Sequence, residues 1–412
     1  MTDVYARLDR QVDAEHADAV AFLRDIVRVP TDTPPGNNAG HAEHTARLLE
    51  RMGFEVERHR VDDRDVRSSG LQSIVNLIVR RRFGPGPVIA LNAHGDVVPP
   101  GEGWTHPPYE GVIENGRMYG RGVAVSKSDF ATYVYALRAL ETVAASATLG
   151  GTVELHFTYD EEFGGALGPE WLLAKGLTRP DFAIGPGFAY AIVTAHNGCL
   201  QLEVSLHGRA AHAAMPETGV DALAAAARVL DALYAQRALY ATRRSGVEGI
   251  ATPTINVGRI EGGTNTNVVP AKVVLKLDRR MIPEENPEDV EAELREVIET
   301  AARGVPGIRV EIRRLLLARG ESARAGHERL LALLQTHGRR VIGESIPATA
   351  TPLYTDARLY GEAGVPIVLY GAGPRTILEA NAKRADENLD LDDLRAATKV
   401  VASTLYDLLK KR

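Results

Sequence analysis

Asp160-Glu161-Glu162 sets three carboxylates in a row at the end of the run Val153–Phe157, just before Gly164-Gly165. Val153, Leu155 and Phe157 alternate with polar residues, which reads as a strand with one buried face. Adjacent acids repel, so clustering them costs stability unless a cation, a metal or a substrate offsets the charge. A carboxylate held beside another and partly out of water binds protons more tightly, which suits general acid–base work. The same three residues also fit a solvated acidic turn, so their company along the chain matters. His94 and Asp96 are the second candidate pair. They stand at i and i+2 after the apolar run Val88–Asn92, so their side chains point to one side of a strand end. Open α/β sheets place their sites there, beyond the carboxyl ends of the strands.

The elements that would carry these residues alternate. Helical spacing covers about Ala14–Val29, ending at Pro30, and about His41–Met52. Strand patterns cover 73–79 and 88–92, and Asn115-Gly116 reads as a tight hairpin turn. A helix over about Phe130–Ala144 then precedes the Glu161 strand. This rhythm predicts a mostly parallel sheet covered on both faces. Further on, the alternating run 200–206, a helix over Asp221–Ala235, strands over Thr254–Val257 and Lys272–Leu277 and a helix over Pro287–Ala302 form a compact group. After about Val310 come a helix over Glu328–Val341, a buried strand over Val365–Tyr370 and a last helix over about Leu391–Leu409.

The 412 residues are too many for one ordinary core and suit two domains. With 44% hydrophobic and 25% charged residues the composition is that of a globular protein. The net charge of −6 and the lack of a basic block argue against a nucleic-acid partner. No apolar run reaches the length of a membrane span, and the first residues lack an apolar signal core, so a cytoplasmic protein is expected. The one cysteine, Cys199, excludes an intramolecular disulfide and reads as a buried, inert thiol.

Several ordered segments resemble the M20 group of metallopeptidases, the aminoacylase, acetylornithine deacetylase, succinyl-diaminopimelate desuccinylase and carboxypeptidase G type. They are His94–Pro99, Tyr119–Gly122, Asp160–Gly165, Gly208–His212 with Pro216, Gly219 and Ala222, Gly262–Thr264 with Asn267–Pro270, Asp278 and Arg280, Thr355–Arg358 and Tyr370–Gly373. The resemblance implies an α/β fold: a zinc-peptidase-like catalytic domain over 1–197 and 315–412, interrupted by a smaller α/β dimerisation (lid) domain over 198–314. It implies a homodimer and a small-molecule substrate. By the same resemblance Glu161 is the general base, His212 an oxyanion donor, and Asn267, Arg280 and Arg358 substrate-binding residues.

Family members hold two zinc ions between five side chains. Carried over motif by motif, those positions are His94, Val125, Glu162, Pro186 and Lys383. Val and Pro offer no lone pair, and a protonated Lys donates only. His94 and Glu162 remain as metal-binding residues, enough for no cofactor or at most one weakly bound divalent metal, Zn or Mn. Asp129 is a further acid that could serve as a replacement ligand. Lys383 would then supply a fixed positive charge beside the acid pair. The resemblance thus describes a divergent member with a degenerate metal site. Three readings stay open: an enzyme acting on a small carboxylated acyl-amide or amino-acid-like substrate without the usual two-zinc centre, by C–N hydrolysis or other metal-free chemistry; a conventional zinc-dependent C–N hydrolase whose ligands lie elsewhere; and a non-catalytic small-ligand-binding relative.

Overall fold

The computed structural model describes residues 2–144, 148–322 and 325–411. In chain order its elements are α1 (Thr2–Val27), α2 (Ala39–Arg51), β1 (Val56–Arg60), α3 (Asp63–Ser68), β2 (Val75–Gly84), β3 (Val88–His94), β4 (Val112–Glu114), β5 (Arg117–Tyr119), α4 (Lys127–Ala144) and β6 (Gly151–Thr158). There follow α5 (Pro169–Ala174), β7 (Phe182–Gly185), β8 (Ile192–His196), β9 (Gly198–His207), α6 (Ala222–Tyr240), β10 (Thr254–Gly262), β11 (Lys272–Met281) and α7 (Pro287–Ala302). The chain ends with β12 (Arg309–Ala318), α8 (Glu328–Ile342), β13 (Ala348–Thr351), α9 (Ala357–Glu362), β14 (Ile367–Leu369), β15 (Asn388–Asp390) and α10 (Leu391–Leu409).

These elements form two compact units, one of Met1–Thr194, Ala323–Thr349 and Asp356–Arg412, the other of Ala195–Ser322 and Ala350–Thr355. The first is built on an eight-stranded sheet in the order β1-β2-β6-β3-β7-β14-β8-β13. Its centre, β6-β3-β7-β14, is parallel, and β1-β2 and β8 join it antiparallel. Neighbouring residues of the central strands serve opposite faces. Ile89, Leu91, Ile184 and Val368 enter the main core with α1, α4 and α10, whereas Ala90, Ala183, Ile367 and Leu369 pack with Ala357 and Tyr360 of α9. Burial on both faces is why β3 and β14 read as unbroken apolar runs. Asn115 and Gly116 both adopt positive φ (51° and 76°) and close the β4–β5 hairpin, as their types predict.

The second unit is a four-stranded antiparallel sheet, β10-β11-β9-β12, with α6 and α7 sharing its core. Leu200, Leu202, Val204 and Leu206 of β9 face that core alternately with Gln201, Glu203 and Ser205. This unit runs beyond the insert expected over 198–314. The physical reason is β12, which pairs along β9 to Ala318 but carries a bulge between Arg314 and Leu316. The bulge breaks the two-residue period, so Leu315-Leu316-Leu317 does not alternate. At the other end of the chain, α1 begins at Thr2, well before Ala14. Cys199 is buried, with its thiol 3.4 Å from Asp278 Oδ2. Among the described residues no helix is long and apolar enough to cross a membrane.

Candidate active site

β3 and β6 run parallel with His94 opposite Thr158, so both candidate motifs leave the sheet at the same edge. The buried Asp96 carboxylate accepts the Glu161 amide at 3.2 Å and the Glu162 amide at 2.9 Å. Those bonds turn the chain after β6 into the short helical turn Glu161–Phe163. Asp96 also lies 3.4 Å from His94 Nδ1, which sits 3.0 Å from the Asp96 carbonyl oxygen. The other ring nitrogen of His94 is 3.9 Å from Glu161 Oε2. The two motifs therefore meet beyond the carboxyl ends of β3 and β6.

Glu161 is 8% exposed. Burial raises its pKa, and the nearby charges of Glu162 and Asp96 add to this against His94 and Lys383. For His94 burial favours the neutral ring, but Glu161, Asp96 and Glu162 outweigh it and hold the pKa well above the usual imidazole range. Lys383 Nζ reaches Glu162 Oε2 at 2.6 Å, although 221 positions separate them. The structure thus brings His94, Glu161, Glu162 and Lys383 into one group.

Arg358 lies behind this group. It is 7% exposed, donates to the Gly164 carbonyl and has Glu362 at 3.7 Å. Its charge also opposes the upward pKa shifts that burial gives Asp160 and Asp356. In this position Arg358 holds the acid-bearing turn. Gly165 in the same turn has φ +72°, and a Cβ there would meet Asp356 Oδ1 at 2.2 Å. No other residue fits that place.

The remaining family positions sit on braced loops. The buried Glu387 carboxylate accepts the amides of Gly122 (3.1 Å), Ala124 (3.1 Å) and Val125 (3.3 Å), and pairs with Arg121. Ser126 ties the same loop to the end of β3, accepting from His94 N and donating to His94 O. Lys127 next to it buries its amine against the Val29 carbonyl at 3.2 Å, and burial lowers its pKa to about 7. Asp129 accepts from Ala372 N at 2.8 Å and Gly187 N at 3.3 Å. It binds together the loops that follow β14 and β7, including the one that carries Pro186. That is a bracing role. Asp386 accepts from Thr105 N and His106 N and fixes the turn that carries Lys383. Sequence reasoning did not single out Ser126, Lys127 or Glu387 as site residues. Only Glu387 left a signal, in its acidic pair with Asp386.

In the second unit, His212 bridges to Val268, and Ala213 N donates to the Asn267 carbonyl at 3.0 Å, so His212 and Asn267 are neighbours. Ala214 N donates to His212 Nδ1 at 3.1 Å. A neutral ring so held carries its proton on Nε2, which makes that nitrogen a donor. Arg280 is bidentate on Asp278, at 2.7 and 3.3 Å, and lies 5.2 Å from the Tyr354 ring centre. Part of its fork is thus engaged within its own unit.

Comparison with known proteins places this arrangement. The chain is 28% identical over 399 residues to a succinyl-diaminopimelate desuccinylase of Acidiphilium cryptum, covering 94% of this chain and 98% of the relative. It is 29% identical over 386 residues to an acetylornithine deacetylase of Myxococcus xanthus, covering 93% and 95%. Its fold matches that of the dipeptidase Dug1p of Saccharomyces cerevisiae with a TM-score of 0.82 at 15% identity, covering 99% of each chain. Residues 90–407 match the family model for peptidase family M20/M25/M40, and the chain belongs to that family.

Proposed function

We propose that the chain is a hydrolase of C–N bonds acting on a small carboxylated acyl-amide or amino-acid-like substrate, with Glu161 as general base and without the family's usual two-metal centre. The observation that carries this reading is the placement of Glu161: nearly buried, 3.9 Å from the His94 ring and beside the Glu162–Lys383 pair. The two curated relatives are named for removing a succinyl and an acetyl group, which supports an acyl-amide bond as the target.

In this reading Glu161 takes a proton from water as the water oxygen bonds to the amide carbon. The C–N bond then breaks, and Glu161 returns the proton to the departing nitrogen. Charge developing on the amide oxygen is stabilised by donors, for which His212 is the family-derived candidate. Asn267 and Arg280 are assigned to the substrate carboxylate, because an Arg fork suits two oxygens. Arg358 positions the acid turn. The second unit is assigned to self-association into a homodimer.

The family norm is a dinuclear metal centre. The side chains at the matching positions do not fit one. Val125 and Pro186 have no donor atom, and Lys383 brings a positive charge. His94 and Glu162 would leave at most one divalent ion, Zn or Mn, short of the four ligands that zinc takes.

The test is release of free amine from a panel of N-succinyl and N-acetyl amino acids. Wild type is expected to turn over at least one, and E161Q to lose about 10²- to 10⁴-fold in kcat. Unchanged rates in E161Q would remove Glu161 as the base. Ligand-induced stabilisation with no turnover on any substrate would favour the binding-protein reading.

A further inference from the structure

We propose that Lys383 is the resident cation of this centre and that its ammonium keeps divalent metals out. The proposal rests on the reading of a centre without the two-metal cluster and assigns the residue responsible. Lys383 Nζ lies 2.6 Å from Glu162 Oε2, the length of a strong charge-assisted bond. The Lys383 side chain is 49% exposed but that of Glu162 only 6%, so the pair is no ordinary surface bridge. A buried carboxylate that also raises the pKa of neighbouring Glu161 needs a partner, and here the partner is covalently part of the chain.

The backbone points the same way. Lys383 has φ +60°, with Asn381 at +50° and Asp386 at +54° in the same turn. Left-handed conformations are costly for residues with a Cβ and persist where the surroundings impose them. The surroundings here are named groups. Asp386 is anchored on the amides of Thr105 and His106, and Glu387 on the amides of Gly122, Ala124 and Val125. One carboxylate, that of Glu387, thus ties the turn of Lys383 to the loop of Val125. Position 125 has lost its donor atom, and position 383 has gained a charge. A divalent ion entering beside Glu162 would have to displace the ammonium and then meet its repulsion at short range.

Five proteins test this: wild type, K383M, E162Q with and without K383M, and the triple variant K383H/V125D/P186E. Each is purified with zinc present and desalted. Zinc per chain is measured by elemental mass spectrometry, and thermal unfolding is followed with zinc or with a chelator. Wild type is expected to hold no stoichiometric zinc and to unfold at one temperature in both conditions. K383M should lower Tm by a few degrees, and the same change in an E162Q background should lower it hardly at all. The triple variant should retain about two zinc ions per chain and gain stability from them. One or more zinc ions per wild-type chain would overturn the proposal. So would an equal effect of K383M with and without Glu162, which decides the matter even if the triple variant fails to fold. A folded triple variant that takes up no zinc would overturn the exclusion role. None of these readouts needs turnover, so failure of the hydrolase reading would be seen separately.

Discussion

Asp96 accepts the main-chain amide of Glu162 at 2.9 Å, so the strand end that carries His94 also sets the direction of the acid pair. The second oxygen of the same carboxylate takes the Glu161 amide. D96N keeps the shape but replaces one acceptor oxygen by a donor NH2, which cannot accept from an amide. The turn Glu161–Phe163 should then shift and Glu161 lose its alignment. We expect kcat to fall by about 10²-fold through misplacement alone, with a stability loss of about 1–3 kcal/mol from the unpaired buried amide. Steady-state kinetics and urea unfolding check this. Unchanged kcat in a folded D96N protein would remove the positioning role.

Arg358 separates two roles cleanly. As a positioning residue it donates to the Gly164 carbonyl from a buried site, near the acids Asp160 and Asp356. R358M removes a charge that opposes those acids and orphans a buried carbonyl. The expected cost is about 3 kcal/mol, and the kinetic loss should fall on kcat. R358K should recover part of both. If Arg358 instead grips the substrate, KM should rise with Tm unchanged.

The local chemistry of the sequence accounts for what could be read from it. α7 starts where Asn286 caps the Glu288 amide at 2.9 Å with Pro287 beside it, and α10 where Asp390 caps the Asp392 amide at 3.0 Å. Both helices were placed to the residue, because a cap is a contact within three positions. β12 was not recognised as a strand, since its bulge spoils the alternation that marks one. In the site, His94 and Glu161 show themselves through short spacing. The Lys383–Glu162 contact spans 221 positions and came into view only through family resemblance. Nothing in the neighbours of Arg358 betrays that its guanidinium is buried. Glu387 holds Val125 through main-chain amides, a kind of bond that no residue type at position 125 reveals.

Glu154 gives the first unit an acid-sensitive link. Burial raises its affinity for protons, but bonds to His156, Thr178 and Arg80 prevail and bring its pKa down to about 2. His156 Nε2 is 3.0 Å away and Arg80 Nε 2.8 Å. The unfolded value is near 4.5. A depressed folded pKa means that the stabilisation is complete above about pH 4.5 and is lost as pH falls towards 2 and below. With a side chain only 7% exposed, the contribution is roughly 2–3 kcal/mol at neutral pH. We expect E154Q to be less stable than wild type by about that much at pH 7, with roughly 40% of the gap left at about pH 3. Denaturant unfolding of both proteins across this range checks it. A gap that stays constant with pH would show that Glu154 is not held as a carboxylate.

His212 tests whether the second unit contributes chemistry. The residue is exposed, so its removal should cost almost nothing in stability. Its ring is nevertheless oriented, since the Ala214 amide donates to Nδ1 and leaves Nε2 as a donor. If it meets the amide oxygen in the transition state, H212A should lower kcat by about 10²- to 10³-fold with little change in KM, and Tm should stay within about 1 °C. H212Q restores an N–H donor on a side chain of similar reach and should recover part of the rate. A structural role predicts the reverse pattern: a lower Tm, an unchanged kcat and no rescue by Gln.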